Sequence, residues 1–224
     1  AGGRVMTSSS SPGISLKQEG ISYIACAELP CVVVNVMRGG PGLGSIQPAQ
    51  GDYFQATKGG GHGDYRLIVL APSSVQELVD LTIKAFDLAD KYRNPAMLLA
   101  DGLLGQMMEP VQFKEFDEKS IPSKESWALG SSKGREPRRI VPFDLDPVEL
   151  EKIVNRLKQK YQDMQKEVEY ELVNIDNPDI VIVAYGSIAR IAKTTIQMAK
   201  KEGINIGLIR PITLFPFQIG RAHV

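Results

Sequence analysis

The sequence contains only two cysteines, Cys26 and Cys31, which form no C-x-x-C pair and sit among apolar neighbours. Two thiolates fall short of the four that an iron–sulfur cluster normally takes, so neither a cluster nor a zinc site is expected on this chain alone. An excess of charge of either sign is also missing. Lysine plus arginine and aspartate plus glutamate each number 26, and the net charge is zero. That balance leaves no electrostatic footprint for nucleic acid or an anionic membrane surface. No apolar run approaches the roughly 20 residues that cross a bilayer, and the opening residues lack the hydrophobic segment of a secretory signal. A soluble protein is the expectation. There is no Walker A loop, no G-x-G-x-x-G between a strand and a helix, no H-E-x-x-H and no aspartate-rich calcium loop. Asp101-Gly102 has the start of a magnesium–diphosphate motif, but no asparagine follows at a suitable distance.

What is present is a hydrophobic content of 43% over 224 residues, enough for one large domain or for one domain and part of another. The chain opens without methionine, as the inside of a longer protein would. Its last residues, 219–224, read like one frame of a common sequencing adapter and are expected to be non-native, so His223 is left out of any site.

Three regimes follow one another. A glycine-rich α/β segment runs to about Glu109, a charged, proline-containing stretch to about Pro147, and a helix followed by more α/β pattern to the end. Ser11-Pro12 predicts a helix start, with Ser11 as N-cap and proline in the first turn. The β-branched run from Cys31 to Val36 predicts a strand buried on both faces, hence a parallel sheet. Leu67 to Ala71 and Ala96 to Ala100 predict two more strands. The helix between them starts at Ser73 or Ser74 and carries Leu78, Leu81, Ala85, Phe86 and Ala89 as an apolar stripe. Pro147 to about Tyr170 predicts a long helix. The strand from Ile180 to Tyr185, a helix to Glu202 with Gly203 as its stop, and the strand from Ile206 to Ile209 predict a second α/β unit.

In parallel α/β sheets ligands lie beyond the carboxyl ends of the strands. Arg38-Gly39-Gly40-Pro41-Gly42-Leu43-Gly44 follows the strand ending at Val36, putting a permanent cation beside a flexible turn, which suits an anion site or is merely a turn. Thr7-Ser8-Ser9-Ser10-Ser11 precedes a helix start and reads equally as an anion cradle or a plain N-cap. Gln50-Gly51-Asp52-Tyr53 caps a helix or orients a polar ligand. His62, among glycines 59–63, reads as structural more readily than catalytic, because no nucleophile is linked to it. These patterns reach an anion-binding α/β protein and go no further.

Residues 4–16 (Arg4-Val5-Met6-Thr7-Ser8-Ser9-Ser10-Ser11-Pro12-Gly13-Ile14-Ser15-Leu16), Arg38-Gly39-Gly40-Pro41 and Gln50-Gly51-Asp52 resemble the alpha subunit of 2-oxoacid:ferredoxin oxidoreductases. So do Ala184-Tyr185-Gly186-Ser187 and the stretch from Gly207 through Arg210-Pro211-Ile212-Thr213 to Phe217. The resemblance covers essentially everything to Phe217. Pro41-Gly42-Leu43-Gly44 with Tyr53-Phe54-Gln55-Ala56 is most similar to the branched-chain, 2-oxoisovalerate type. It implies an α/β fold: a partial, parallel-sheet, pyrimidine-type thiamine-diphosphate domain over 1–115, a connector with a long helix over 116–177, and the start of a transketolase C-terminal-like α/β domain over 178–217, beyond which 218–224 is expected to be the non-native tail.

The implied activity is CoA-dependent oxidative decarboxylation of a branched-chain 2-oxoacid to acyl-CoA and carbon dioxide, with reduction of ferredoxin, in the cytoplasm. Arg38, Thr7 and Ser8 would bind substrate, and Ser9, Gln50 and Asp52 would bind the cofactor. No catalytic or metal-ligating residue falls on this chain, because the family's glutamate lies upstream of Ala1. Thiamine diphosphate would be shared with a thiamine-binding beta subunit. Mg2+ and 4Fe–4S clusters would belong to partners, among them a gamma subunit, a ferredoxin-like subunit and ferredoxin, with coenzyme A as a substrate. The fragment alone would be inactive. A 2-oxoglutarate or pyruvate oxidoreductase, or a non-catalytic α/β binding module, are the alternative readings.

Overall fold

A computed structural model describes residues 2–115 and 121–217. The tail expected to be non-native, with His223, lies outside the described residues. Two sheets organise the chain. The larger has five strands in the order β1-β2-β4-β3-β8: β1 (Met6–Ser9), β2 (Cys31–Met37), β3 (Ile68–Leu70), β4 (Pro95–Asp101) and β8 (Thr213–Phe215). The smaller has the order β5-β7-β6, from β5 (Tyr170–Val173), β6 (Ile180–Val183) and β7 (Ile206–Pro211).

The central strands are parallel, as a β-branched run buried on both faces requires. β2 lies beside β4 with Val32 opposite Ala96 and Val33 opposite Met97. Alternation then sorts the core into two layers. Val33, Met97 and Leu99 pack with Ile14, Ile21 and Ala25 of α1 (Pro12–Cys26). Val32, Ala96 and Leu98 pack with Leu81, Ala85 and Ala89 of α3 (Val75–Tyr92). The α3 start matches its sequence signal. Ser74 accepts the Glu77 backbone N–H, and the Glu77 carboxylate reaches back to the Ser73 N–H at 2.8 Å, so two free donors are satisfied reciprocally.

Three strands depart from expectation. β1 is too polar to announce itself. β5 replaces the end of the long helix: α5 (Pro147–Asp163) gives way to a 3-10 turn at Met164–Glu167, after which Tyr170–Val173 form a strand antiparallel to β7. β8 returns to the larger sheet and pairs antiparallel with β3. Both sheets are therefore mixed at one edge. Sheet membership also crosses the boundary anticipated at residue 177, since β5 joins the smaller sheet and β8 the larger. On α5, Leu157 is buried, but Val148, Leu150 and Val154 are exposed. In the smaller unit, α6 (Gly186–Lys201) packs Ala189, Ala192 and Ile196 on Leu208 and stops at Gly203 with a positive φ of 78°. The described helices include none long and apolar enough to cross a membrane.

Candidate functional site

Strand register gathers the candidate residues on one edge. Ser9 is opposite Asn35, and Met37 is opposite Asp101, so Arg38 and Gly102 leave the sheet side by side at its carboxyl end, and Ser10 leaves it two residues earlier in register. This is where parallel α/β sheets bind ligands.

Arg38 Nε donates to Ser11 Oγ at 2.6 Å, and Arg38 Nη1 donates to the Ser45 carbonyl at 3.4 Å. Ser11 stands at the N-cap position of α1 as anticipated, but its side chain makes no cap bond and accepts from Arg38 instead. Ser11 sits at φ 51°, ψ −130°, a region that costs a non-glycine residue on the order of 1–3 kcal/mol and persists where the surroundings over-determine it. Of the five guanidinium donors, three stay available on the Nη side of the fork.

Lys17, one helical turn beyond Gly13, donates to Thr7 Oγ1 at 2.6 Å and to the Ser8 carbonyl at 2.8 Å. It adds a second cation to the edge, and nothing in its spacing marked it. Ser9 packs against the first turn of α1, where a Cβ on Gly13 would lie 2.1 Å from Ser9 Oγ.

Asp52 occupies the N-cap position of α2 (Tyr53–Lys58) without a cap bond, and its carboxylate accepts from Asn35 Nδ2 at 2.9 Å. Asn35 is fully buried in the middle of β2. A lone amide inside an apolar strand is the signal that could have singled it out. Gln50 Nε2 donates to Asp101 Oδ2 at 3.2 Å and to the Tyr185 carbonyl at 3.1 Å. Burial first, and then the nearby Tyr53, Asp101 and Asp52, push the Tyr185 phenol up to about 12, so it remains a neutral hydroxyl near the Gln50 backbone carbonyl. Asp101, whose motif looked incomplete, is thus a junction between the two units.

His62 does not join this edge. Its loop precedes β3, and Arg66 accepts from Asn94 just before β4, which places the loop at the amino ends of the strands. The His62 ring is exposed while its carbonyl accepts Ser22 Oγ at 2.6 Å, a structural contact. Cys26 and Cys31 are free thiols, and burial pushes both up.

The Arg38 loop depends on close backbone packing. Gly39 donates to the Gln47 carbonyl and accepts from the Ser45 N–H. Gly44, at φ 67°, would place a Cβ 1.8 Å from the Gly39 carbonyl oxygen. Gly44→Ala is expected to cost about 2 kcal/mol, since it combines a left-handed backbone with an overlap that no side-chain rotation relieves. Chemical denaturation of the variant checks this, and an unchanged midpoint would contradict it.

Comparison with known proteins bears on this arrangement. Residues 1–183 match the family model described as pyruvate flavodoxin/ferredoxin oxidoreductase, thiamine diphosphate-binding, and residues 178–219 match pyruvate:ferredoxin oxidoreductase core domain II. Ketoisovalerate oxidoreductase subunit VorB of Methanothermobacter thermautotrophicus is 55% identical over 99% of this chain and 63% of its own length. The 2-oxoglutarate synthase subunit KorA of Archaeoglobus fulgidus is 37% identical over 97% of this chain and 63% of its own. The chain therefore spans less than two thirds of these relatives. A solved 2-oxoglutarate:ferredoxin oxidoreductase from Magnetococcus marinus, with 2-oxoglutarate, coenzyme A and succinyl-CoA bound, shares the fold at a TM-score of 0.77 and 24% identity, over 99% of this chain and 44% of that one. With residues 1–183 under one family model and relatives this similar along the chain, this protein belongs to the pyruvate flavodoxin/ferredoxin oxidoreductase family, of which it carries the thiamine diphosphate-binding domain.

Proposed function

We propose that this chain forms one wall of the thiamine diphosphate site in a 2-oxoacid:ferredoxin oxidoreductase that oxidises branched-chain 2-oxoacids. The observation that carries the reading is the 55% identity to VorB, a subunit named for ketoisovalerate, and the cationic edge around Arg38 is what a 2-oxoacid carboxylate needs. In the overall reaction a 2-oxoacid anion and the thiol of coenzyme A give acyl-CoA, carbon dioxide, one proton and two electrons, which pass singly to ferredoxin.

The residues fit the ring end of the cofactor rather than its diphosphate. Ser9, Gln50 and Asp52 offer short polar groups on a partly buried edge, suited to the N–H donors and acceptors of an aminopyrimidine. Among the described residues no cluster of three histidines, cysteines or acids could hold a metal ion. Mg2+ and iron–sulfur clusters, and the diphosphate with them, would sit on partner subunits. When bound, thiamine diphosphate supplies the nucleophilic carbon and the electron sink for decarboxylation. This chain's residues do the positioning. Arg38 holds the substrate carboxylate, with Thr7 and Ser8 beside it under the charge of Lys17. The division at about residue 178 into a thiamine-binding unit and a second α/β unit belongs to the same proposal.

The test is assembly of the full-length subunit with its partners and assay of viologen reduction with coenzyme A and either 2-oxoisovalerate, 2-oxoglutarate or pyruvate. The highest kcat/KM is expected with 2-oxoisovalerate. Preference for another 2-oxoacid would reassign the substrate, and a subunit that recruits no thiamine-binding partner would be a binding module.

A further inference from the structure

Asp101 ends β4 at 2% exposure, and five donors converge on its two oxygens. Oδ1 accepts the backbone N–H groups of Leu103 and Leu104, both at 3.1 Å, and so caps α4 (Gly102–Gln106). Oδ2 accepts Ser187 Oγ at 2.6 Å, the Ser187 N–H at 3.3 Å and Gln50 Nε2 at 3.2 Å. One carboxylate therefore serves the first turn of a helix in its own unit and the first turn of α6 in the other. The residue at the N-cap of α6, Tyr185, gives it no side-chain bond. Gly186 is at φ 60°, and a Cβ there would lie 2.8 Å from Gln50 Nε2.

The same contacts fix the Gln50 amide. Its nitrogen lies between two acceptors, Asp101 Oδ2 and the Tyr185 carbonyl, so the amide cannot turn over without setting oxygen against oxygen, and Oε1 must point elsewhere. The geometry points to Asp101 as a positioning residue, which registers α6 of the second unit against Gln50 and thereby aims the Gln50 carbonyl oxygen at an N–H donor of the ligand on the carboxyl edge. This rests on the proposed thiamine diphosphate site, with the donor being of the aminopyrimidine class. The second unit then takes part in cofactor binding through Ser187 and the Tyr185 carbonyl, although its residues need not touch the cofactor.

Asp101→Asn keeps the shape and replaces one acceptor oxygen by a donor. Ser187 can rotate its hydroxyl to accept, but Gln50 Nε2 and the backbone N–H groups cannot, so a donor faces a donor on whichever side the amide nitrogen lies. In the full-length subunit assembled with its partners, thiamine diphosphate titrations of wild type, Asp101→Asn, Gln50→Ala and the double variant read the coupling. Each single change is expected to weaken binding about tenfold, and the double variant no more than about tenfold rather than hundredfold. Hydrogen exchange should rise at residues 185–190 in Asp101→Asn and stay unchanged there in Gln50→Ala. Additive losses, or normal affinity in Asp101→Asn, overturn the proposal, because a purely structural aspartate would act equally with and without Gln50. Should Asp101→Asn fail to assemble, Gly186→Ala presses on Gln50 from the second unit without altering Asp101. Weaker binding that disappears in the Gln50→Ala background supports the coupling, and unchanged affinity refutes it. Wild type that binds no thiamine diphosphate removes the functional reading and this inference together, whereas wild-type binding with additive variants removes only the coupling.

Discussion

Arg38→Lys in the assembled enzyme is expected to lower kcat/KM for 2-oxoisovalerate roughly a hundredfold while thiamine diphosphate affinity stays within about twofold. Arg38 does two jobs at once. Nε holds Ser11 Oγ at 2.6 Å and one Nη1 hydrogen reaches the Ser45 carbonyl, while the other end of the fork can meet both oxygens of a carboxylate. An ammonium on a flexible stem can take Ser11 or the substrate, but it cannot present two parallel donors to a carboxylate while keeping the first bond. A bidentate, partly desolvated contact of this kind is worth on the order of 2–4 kcal/mol, which sets the hundredfold scale. Ser11 adds to the loss, because its unusual backbone is held in part by that bond. Steady-state kinetics beside a cofactor titration decide the matter. An unchanged kcat/KM would reduce Arg38 to a turn residue and leave residues 7–11, with Lys17, as the anion site.

The contrast between Arg38 and its surroundings shows what a sequence can reveal here. Arg38 was legible because a buried β-branched strand ends just before it and glycines follow. β2, α3 and β4 were legible for similar reasons, since continuous apolar runs and a helical stripe survive any tertiary context. β5 was not, because Tyr161, Met164 and Val168 keep helical spacing into a stretch where Val168, Tyr170 and Leu172 also alternate, and only pairing with β7 decides between the two periods. β8 is three residues long and exists because β3 offers it an edge. The candidate site divides the same way. Gln50 and Asp52 stood out as polar residues at a helix start, but their partners did not: Asn35 sits inside an apolar strand, and Tyr185 is 135 residues from Gln50. Asp101 looked like half of a metal motif because its second role, capping α6, depends on a helix that begins 85 residues later.

A second ionic contact between the two units carries the largest expected effect on stability. Arg210 of β7 is 2% exposed, and its guanidinium pairs with both carboxylate oxygens of Glu77 on α3 and with Glu171 of β5 at 2.9 Å. Arg210→Met is expected to destabilise the chain by about 3 kcal/mol, because removing one member of a buried ionic group strands the others. The figure lies at the low end for such a change because both carboxylates are about one-third exposed and keep other partners: Ser73 for Glu77, and Lys193 for Glu171 at 2.7 Å. The pH dependence gives the cause a separate signature. Burial pushes both carboxyls up, but hydrogen bonds from Arg210 and Ser73 to Glu77, and from Lys193 and Arg210 to Glu171, outweigh it and hold both below the ordinary glutamate value of 4.5. A carboxyl whose folded value is depressed stabilises the fold fully above its unfolded value and loses that contribution as the pH falls through the folded one. Wild type should therefore lose stability as the pH drops below the ordinary carboxylate range, and Arg210→Met, which lacks the part of that contribution Arg210 makes while keeping those of Ser73 and Lys193, should show a shallower acid limb. Denaturant midpoints measured at pH 7 and at steps down to pH 3 test both parts. Parallel acid limbs would mean that the variant's loss comes from packing of the long side chain rather than from the ion pairs, since packing itself does not titrate.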